Sequence, residues 1–304
     1  MDPAQQQKVH GIRNWFPIAE FETLALMQST TLLIECTDRP GLVHAISGVL
    51  FHHGLNVVGN HEFVDRPTSR FFMRTEFDGA VDRVRLIAEI RAVLPRDGIT
   101  RLSQPNPKRV IVLASKEHHC LADILIRHSF RELNATVQAV VSNHPLLEPL
   151  VRKFELPFHC VPSDGTSRES QEEALLAVLD RYPCDYLVLA KYMRVLSPNF
   201  VARFPARIVN IHHSFLPAFV GARPYHQAFA RGVKVIGATA HFVTNELDAG
   251  PIIVQQVVSV DHSQSAEDLV NSGRDVEQMV LARALKLVFE DRVFLCGNRT
   301  VIFD

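Results

Sequence analysis

The segment VNIHHSFLPAF, residues 209–219, joins a short apolar run to a polar loop. RIVNI, residues 207–211, is rich in β-branched side chains and predicts a strand that ends where the polar residues begin. Along the second part of the chain, strands of this kind alternate with amphipathic helices, which predicts a mostly parallel sheet covered on both faces. Because ligands bind beyond the carboxyl ends of strands in such sheets, HHSFLP is expected to lie in a functional site.

The alternating pattern runs from residue 108 to residue 304 and predicts one α/β domain. The predicted strands are RVIVLAS, ATVQAVVSN, PFHCV, DYLVLA, RIVNI, VKVIGATAHFV and PIIVQQVVSV. The predicted helices are HCLADILIRHSFREL, PLLEPLVRKF, ESQEEALLAVLDRY and AEDLVNSGRDVEQMVLARALKLVFED.

A different order of strands and helices over residues 29–103 predicts a separate, smaller domain. The order there is TLLIEC, LVHAISGVLFHHG, LNVVGNHEFV, RFFMRTEF, VDRVRLIAEIRAVL and GITRLS. This β-α-β-β-α-β order predicts a ferredoxin-like α+β fold. SQPNPK, residues 103–108, is the predicted linker because it holds two prolines among polar residues. Residues 1–28 show no clear periodicity, and we expect a poorly ordered lead-in.

Composition excludes several classes of protein. The chain has 304 residues, a formal net charge of -1 and no long run of Lys or Arg, so neither nucleic-acid nor membrane-surface binding is predicted. Its first residues lack the apolar core of a signal peptide, and no apolar stretch is long enough to span a bilayer. Five scattered cysteines with no CxxC pair favour reduced thiols and a cytoplasmic location.

Asn210, His212 and Asp248 are the candidate reactive residues. In an extended chain residues i and i+2 point to the same side, so Asn210 and His212 can reach one ligand atom while His213 faces elsewhere. An amide donor beside an imidazole suits an oxygen that becomes negative. Asp248, in HFVTNELDAGPII, can favour the charged imidazole or accept a proton. Spacing alone leaves a simpler alternative, in which Asn-x-His caps a loop and Asp248 is a turn residue.

Longer motifs carry a family resemblance. NIHHSFLP and GATAHFVTNELDAGPII together resemble the signature of the folate-dependent formyltransferase fold, and YMRVLSP, residues 192–198, resembles its folate-pocket segment. CTDRPGLVHAISGVLFHHGLNVV resembles an ACT domain, a module that commonly binds amino acids. This pair of domains, with the closing VFLCGNRTVIF, resembles the formyltetrahydrofolate deformylase family over nearly the whole chain.

The resemblance implies hydrolysis of 10-formyltetrahydrofolate to formate and tetrahydrofolate, which would balance the one-carbon pool and supply formate for purine synthesis. It implies Asn210, His212 and Asp248 as catalytic residues, with no metal and no cofactor besides the folate substrate. Folate contacts are implied at Met193, Arg194, Val195, Leu196, Thr244, Asn245 and Glu246. An amino-acid effector is implied at Asp38, Arg39, Pro40 and Gly41. Without the resemblance, this DRPG turn predicts only a strand-to-helix turn capped by Asp38.

Two alternatives to hydrolysis remain at this point: formyl transfer to an amine, and a catalytically silent folate or amino-acid sensor. In the glycinamide ribonucleotide transformylases, which share the fold that the larger domain resembles, the turn after the first strand is glycine-rich and can hold a phosphate. Here that turn reads SKEHHC, residues 115–120, with no glycine and with Glu117 where a phosphate would approach, which disfavours transfer. His118, His119 and Cys120 also suggest zinc, but adjacent residues seldom converge on one ion, and no metal site is predicted. Exposed sheet edges of the small domain predict a homo-oligomer.

Overall fold

The computed structural model describes residues 29–104, 106–218 and 224–304. The lead-in predicted for residues 1–28 lies outside the described residues. Among the described residues, no helix has the length and apolar character needed to cross a membrane.

The smaller domain has the predicted ferredoxin-like fold. Its elements are β1 (Thr30–Thr37), α1 (Leu42–His52), β2 (Asn56–Asp65), β3 (Arg70–Asp78), α2 (Arg83–Val93) and β4 (Ile99–Ser103). The four strands form an antiparallel sheet in the order β2-β3-β1-β4. Buried apolar side chains from β1, β3 and both helices, such as Ile34, Ile46 and Ile90, form its core.

The start of α1 corrects one prediction. Asp38 does not cap the helix: the N-cap residue is Gly41, with φ of 85°, and no side chain caps this helix end. The Asp38 backbone N–H instead donates to the Ser69 carbonyl at 2.8 Å. The chain therefore turns into α1 through a left-handed conformation that glycine adopts at little cost.

The larger domain is built on a seven-stranded sheet. Its strands are β5 (Lys108–Ala114), β6 (Ala135–Ser142), β7 (Phe158–Cys160), β8 (Tyr186–Ala190), β9 (Ile208–His212), β10 (Val235–Phe242) and β11 (Ile252–Ser259). The helices are α3 (His119–Ser129), α4 (Glu148–Arg152), α5 (Arg168–Leu179), α6 (Pro198–Ala202), α7 (Pro224–Arg231) and α8 (Ala266–Phe289). Apolar clusters on both faces of the sheet confirm the predicted layering.

The strand order fixes where a ligand can bind. It is β11-β10-β9-β8-β5-β6-β7, with parallel pairing from β9 through β7 and antiparallel pairing of β10 with both neighbours. The connection after β5 leads to β6 on one side, whereas the connection after β8 leads to β9 on the other, so the topological switch point lies between β5 and β8. The functional side chains are therefore expected at the carboxyl ends of β5, β8 and β9.

The chain ends in a hairpin that packs on the smaller domain. It consists of β12 (Val293–Cys296) and β13 (Arg299–Ile302), joined by a two-residue turn. Its Phe294 and Phe303 lie in one buried cluster with Leu33 and Phe72 of the smaller domain. The ring centroids of Phe72 and Phe294 are 5.7 Å apart.

The two domains also meet around Asp291, directly after α8. Its carboxylate accepts hydrogen bonds from Ser103 Oγ at 2.5 Å and from Lys108 Nζ at 2.6 Å. Arg74 of β3 donates to the main-chain carbonyls of Glu290 and Asp291. Both ends of the predicted linker are thus tied to the end of one helix.

Candidate active site

A cavity of about 330 Å³ opens at the carboxyl ends of β8, β9 and β10. Its volume lies in the range of small-molecule sites. All ten residues predicted to be catalytic or to bind folate line it: Met193, Arg194, Val195, Leu196, Asn210, His212, Thr244, Asn245, Glu246 and Asp248. The structure therefore brings two distant sequence segments, 193–196 and 244–248, to the cavity that Asn210 and His212 also line.

Asn210 is oriented by a residue that the sequence analysis did not select. Asn210 and His241 are directly opposite each other in the antiparallel β9–β10 pair, and Asn210 Nδ2 lies 3.1 Å from His241 Nε2. His241 Nδ1 lies 2.9 Å from the Phe242 carbonyl oxygen, which can only accept, so Nδ1 carries a proton. Burial lowers the pKa of His241, and in its neutral form Nε2 accepts from Asn210. The second amide hydrogen of Asn210 is left for a ligand.

His212 and Asp248 form a close pair. His212 Nδ1 lies 3.3 Å from Asp248 Oδ1, with side-chain exposures of 7% and 17%. The hydrogen bond from His212 lowers the pKa of Asp248 below its ordinary value, against the opposing effect of burial. His212 Nε2 is buried and has no hydrogen-bond partner among the described residues. A charged Asp248 thus faces one ring nitrogen of His212, while the other is available to a substrate.

The loop that carries Asp248 has an unusual backbone. Asp248 adopts φ of 54°, in the left-handed region that costs a non-glycine residue about 1 kcal/mol. Two residues later, a Cβ on Gly250 would lie 1.8 Å from the Phe242 carbonyl oxygen, so only glycine fits. The D-A-G-P sequence therefore lets the backbone at Gly250, just before β11, pack directly against the end of β10.

The prediction that His213 faces away from the site was wrong. Its ring stacks on that of His212 with centroids 4.9 Å apart, and it lines the same cavity. The strand ends at His212, so the alternation of side chains no longer applies to the residue that follows.

A buried polar network fills the switch point beside the cavity. Glu277 of α8, with 1% side-chain exposure, lies 2.7 Å from His119 Nε2 and 3.1 Å from Lys191 Nζ. Tyr225 donates its hydroxyl to the other carboxylate oxygen at 2.7 Å. Burial alone would raise the pKa of Glu277, but His119, Lys191 and Tyr225 outweigh it and hold that pKa at about 2. Tyr225 reaches this position because Gly273 has no side chain in its path.

The loop after β5 closes onto α8 as well. Glu117, in the turn SKEHHC, pairs with Arg274 at 3.0 Å. Ser115 Oγ accepts from the Met193 backbone N–H at 3.0 Å, which joins this loop to the segment after β8. The loop after β5 is thus held by contacts with α8 and with the segment that follows β8.

Three side chains that could hold a metal do come together. His119, Cys120 and Glu277 lie within 4.8 Å of one another, whereas His118 is not part of this group. The Lys191 ammonium already neutralises Glu277, and burial raises the pKa of the Cys120 thiol well above its ordinary value. A cation site needs a thiolate and an unpaired carboxylate, so these residues suit an ion-pair network better than a metal.

The four predicted effector residues lie in the smaller domain, away from the cavity lining. Arg39 Nη2 donates to the Val93 carbonyl at 2.7 Å, which ties the turn to the end of α2. This contact explains the turn without a ligand, and the effector role of Asp38, Arg39, Pro40 and Gly41 stays a prediction.

Comparison with known proteins agrees with both domains. The formyl transferase family model matches residues 108–285, and the ACT domain model matches residues 30–95. A formyltetrahydrofolate deformylase of Escherichia coli is 50% identical over 276 residues, 91% of this chain and 99% of the relative. A crystal structure of a formyltetrahydrofolate deformylase from Pseudomonas syringae superposes with a TM-score of 0.88 at 41% identity, covering 94% of this chain and 98% of that chain.

The larger domain has further structural relatives. A glycinamide ribonucleotide transformylase from Symbiobacterium toebii has a TM-score of 0.62 and 34% identity, and it covers 67% of this chain and 97% of that chain. The transformylase therefore matches a share of the chain no greater than about that of the larger domain, whereas the deformylases cover 91% and 94% of the chain. The chain belongs to the formyltetrahydrofolate deformylase family.

Proposed function

We propose that this protein hydrolyses 10-formyltetrahydrofolate to formate and tetrahydrofolate. The observation that carries the proposal is the meeting of the Asn210 amide, the His212 ring and the Asp248 carboxylate on one cavity. Family membership supports the choice of substrate, since relatives that match more than 90% of the chain are named formyltetrahydrofolate deformylases. Such a reaction balances the one-carbon pool and releases formate for purine synthesis.

The formyl oxygen is the centre of the proposed mechanism. Attack on a formyl carbon turns its carbonyl oxygen into an oxyanion, and preorganised donors stabilise that charge. Asn210 offers the amide hydrogen that His241 does not use. With both ring nitrogens protonated, His212 offers Nε2–H to the same oxygen while Nδ1–H stays on Asp248. The two donors stand on one side of β9, two residues apart.

Asp248 is the proposed partner of the attacking water. Its lowered pKa keeps the carboxylate charged, so it can orient the water and accept a proton from it. The water oxygen bonds to the formyl carbon, and the bond from that carbon to N10 then breaks. The proton passes to N10 as it leaves, which gives formate and tetrahydrofolate. The scheme needs neither a metal nor a cofactor.

Water is favoured over an amine by what surrounds the cavity. A phosphorylated amine needs backbone N–H groups or cations for its phosphate. At the switch point, Arg274 is already paired with Glu117, and Lys191 with Glu277. Because these two cations are already paired with carboxylates, they are not available to a phosphate, which supports hydrolysis over transfer.

The remaining proposals concern the smaller domain and the location of the protein. We propose that the ACT domain responds to an amino acid bound near Asp38–Gly41 and that the exposed edge strand β2 contributes to a homo-oligomer. All five cysteines are free thiols, which supports a cytoplasmic location.

The decisive experiment measures formate release from 10-formyltetrahydrofolate with purified protein and no amine. Steady multiple turnover is expected, and His212→Ala should lower kcat by about 10²- to 10³-fold because one oxyanion donor is lost. Tetrahydrofolate that appears only after an amine is added, together with the formylated amine and without formate, would indicate a transferase. Tight folate binding with no turnover under either condition would indicate a sensor.

A further inference from the structure

The turn of the C-terminal hairpin touches the loop that carries Asp248. Gly297 and Asn298 form this two-residue turn, and Gly297 adopts φ of 60°, as the first position of a type II′ turn requires. Asn298 Nδ2 donates to the Ala249 carbonyl oxygen at 2.9 Å. Ala249 directly follows Asp248, so the hydrogen bond reaches the backbone next to the carboxylate.

This contact holds a backbone that is costly to maintain. The left-handed φ of Asp248 places its carboxylate beside His212, and an extended backbone at this residue would aim the side chain elsewhere. On the far side of Ala249, Gly250 is pressed against the Phe242 carbonyl. We propose that Asn298 is a positioning residue for Asp248, holding the Ala249 carbonyl so that the carboxylate stays aimed at His212. The inference rests on the proposed function, in which Asp248 activates water.

The hairpin is itself held by the smaller domain. Arg299, next to Asn298, pairs with Asp65 at the end of β2 at 2.9 Å, and the Asp65 side chain is only 7% exposed. On the apolar face of the hairpin, Phe294 packs edge-on against Phe72 of β3. These contacts fix the position of the hairpin turn relative to the smaller domain.

A second hydrogen bond fixes the hairpin to the strand after the loop. Thr300 Oγ1 donates to the Ile252 carbonyl at 2.6 Å. The hairpin thus spans from the ACT sheet to both ends of the segment Ala249–Ile252. A displacement of the ACT domain would reach Asp248 through this hairpin, which is a route by which an effector could change turnover rather than substrate affinity.

The test compares Asn298→Ala and the isosteric Asn298→Asp with the wild-type full-length chain. Both variants lack the N–H donor, and we expect kcat for 10-formyltetrahydrofolate to fall about 3- to 10-fold, the range of one neutral hydrogen bond. KM should change less than about twofold. A weaker contact with His212 lets the pKa of Asp248 rise, so the acidic limb of the pH–rate profile should move to higher pH.

Asn298→Asp separates the donor from the shape of the side chain. If it retains wild-type kcat and pH profile, the hydrogen bond does not position Asp248 and the inference is wrong. Thermal unfolding of each variant is measured alongside, and a loss of stability with unchanged kcat would equally overturn it.

The link to the smaller domain is tested with a matched pair of arginines. Arg299→Ala removes the pair with Asp65 and is expected to lower kcat with little change in KM. Arg283 has a side chain as exposed as that of Arg299 (62% against 61%) and pairs with Asp304, so Arg283→Ala should leave kcat unchanged. Equal effects of the two changes would contradict the role of the hairpin. Absence of turnover in the wild-type protein would overturn the proposed function and this inference together.

Discussion

Replacing Glu277 by Gln should destabilise the larger domain by about 3 kcal/mol. The pKa of Glu277 is held at about 2 rather than at the ordinary 4.5, and each pKa unit corresponds to about 1.4 kcal/mol of preference for the charged form. Other buried ion pairs give a similar loss of unfolding free energy, since removing one partner costs about 3–5 kcal/mol. Gln preserves the volume, so the loss comes from an uncompensated Lys191, which is only 9% exposed.

The assay is thermal unfolding of the wild-type chain and the Glu277→Gln variant. For a domain of this size, about 3 kcal/mol corresponds to a Tm lower by about 6–12 °C at neutral pH. The contribution of a carboxyl with a depressed pKa is present above its unfolded pKa and disappears as the pH falls through its folded pKa. The difference between the two proteins should therefore shrink as the pH falls from 4.5 through about 2.

A matched control distinguishes the effect of losing a buried charge from the effect of replacing a glutamate on the surface. Glu148 pairs with Arg152 one helical turn away on an exposed surface, so Glu148→Gln should change stability by no more than about 0.5 kcal/mol. If Glu277→Gln costs under 1 kcal/mol, or if its effect does not depend on pH, the reasoning about the buried network is refuted.

Two other positions give further predictions. His241→Leu removes the acceptor that orients Asn210 and should lower kcat about tenfold, while His241→Gln keeps a neutral acceptor and most of the activity. Because protonated His241 cannot accept from Asn210, wild-type kcat should decline as the pH falls through the lowered pKa of His241, and identical pH profiles of wild type and His241→Gln would exclude this role. Gly273→Ala places a Cβ 2.1 Å from Tyr225 Cζ and should cost about 1–3 kcal/mol of unfolding free energy. In the matched change Gly48→Ala the Cβ meets nothing within 4 Å, so a gain of about 0.4–1 kcal/mol is expected, and equal effects at the two glycines would refute the packing argument.

Local patterns predicted much of the fold and part of the site. Period-two spacing placed Asn210 and His212 on one side of a strand. The Gly-Pro pair that follows Asp248 placed this aspartate in a turn after a later strand. These are properties of residues close in sequence, so the sequence alone expresses them. The mostly parallel sheet and the ferredoxin-like domain followed from the order of strands and helices for the same reason.

Tertiary pairing explains what sequence reasoning missed. His241 orients Asn210 only because β10 pairs with β9 in one particular register, and that register is not encoded in either strand alone. Glu277 belongs to an amphipathic helix, where a glutamate ordinarily indicates the exposed face. It is buried because His119, at the start of α3, and Lys191, directly after β8, lie within hydrogen-bond or ion-pair distance of its carboxylate. The predicted cap at Asp38 failed because Gly41 begins α1 through its own backbone conformation.

Helix α8 joins the buried network to the junction between the domains without interruption. It starts in a capping box at Ser265 and Asp268 and continues for 24 residues, a length of about 36 Å. Glu277 lies at its middle, and Asp291 follows its last turn, so about 18 Å of continuous helix separate Glu277 from the helix end. Inserting one residue between them would rotate Asp291 by about 100° relative to Glu277, so both could not keep their partners. The length of this helix therefore links the contacts between the two domains at Asp291 to the buried network at Glu277 beside the cavity. The number of residues in the helix matters as much as their identity.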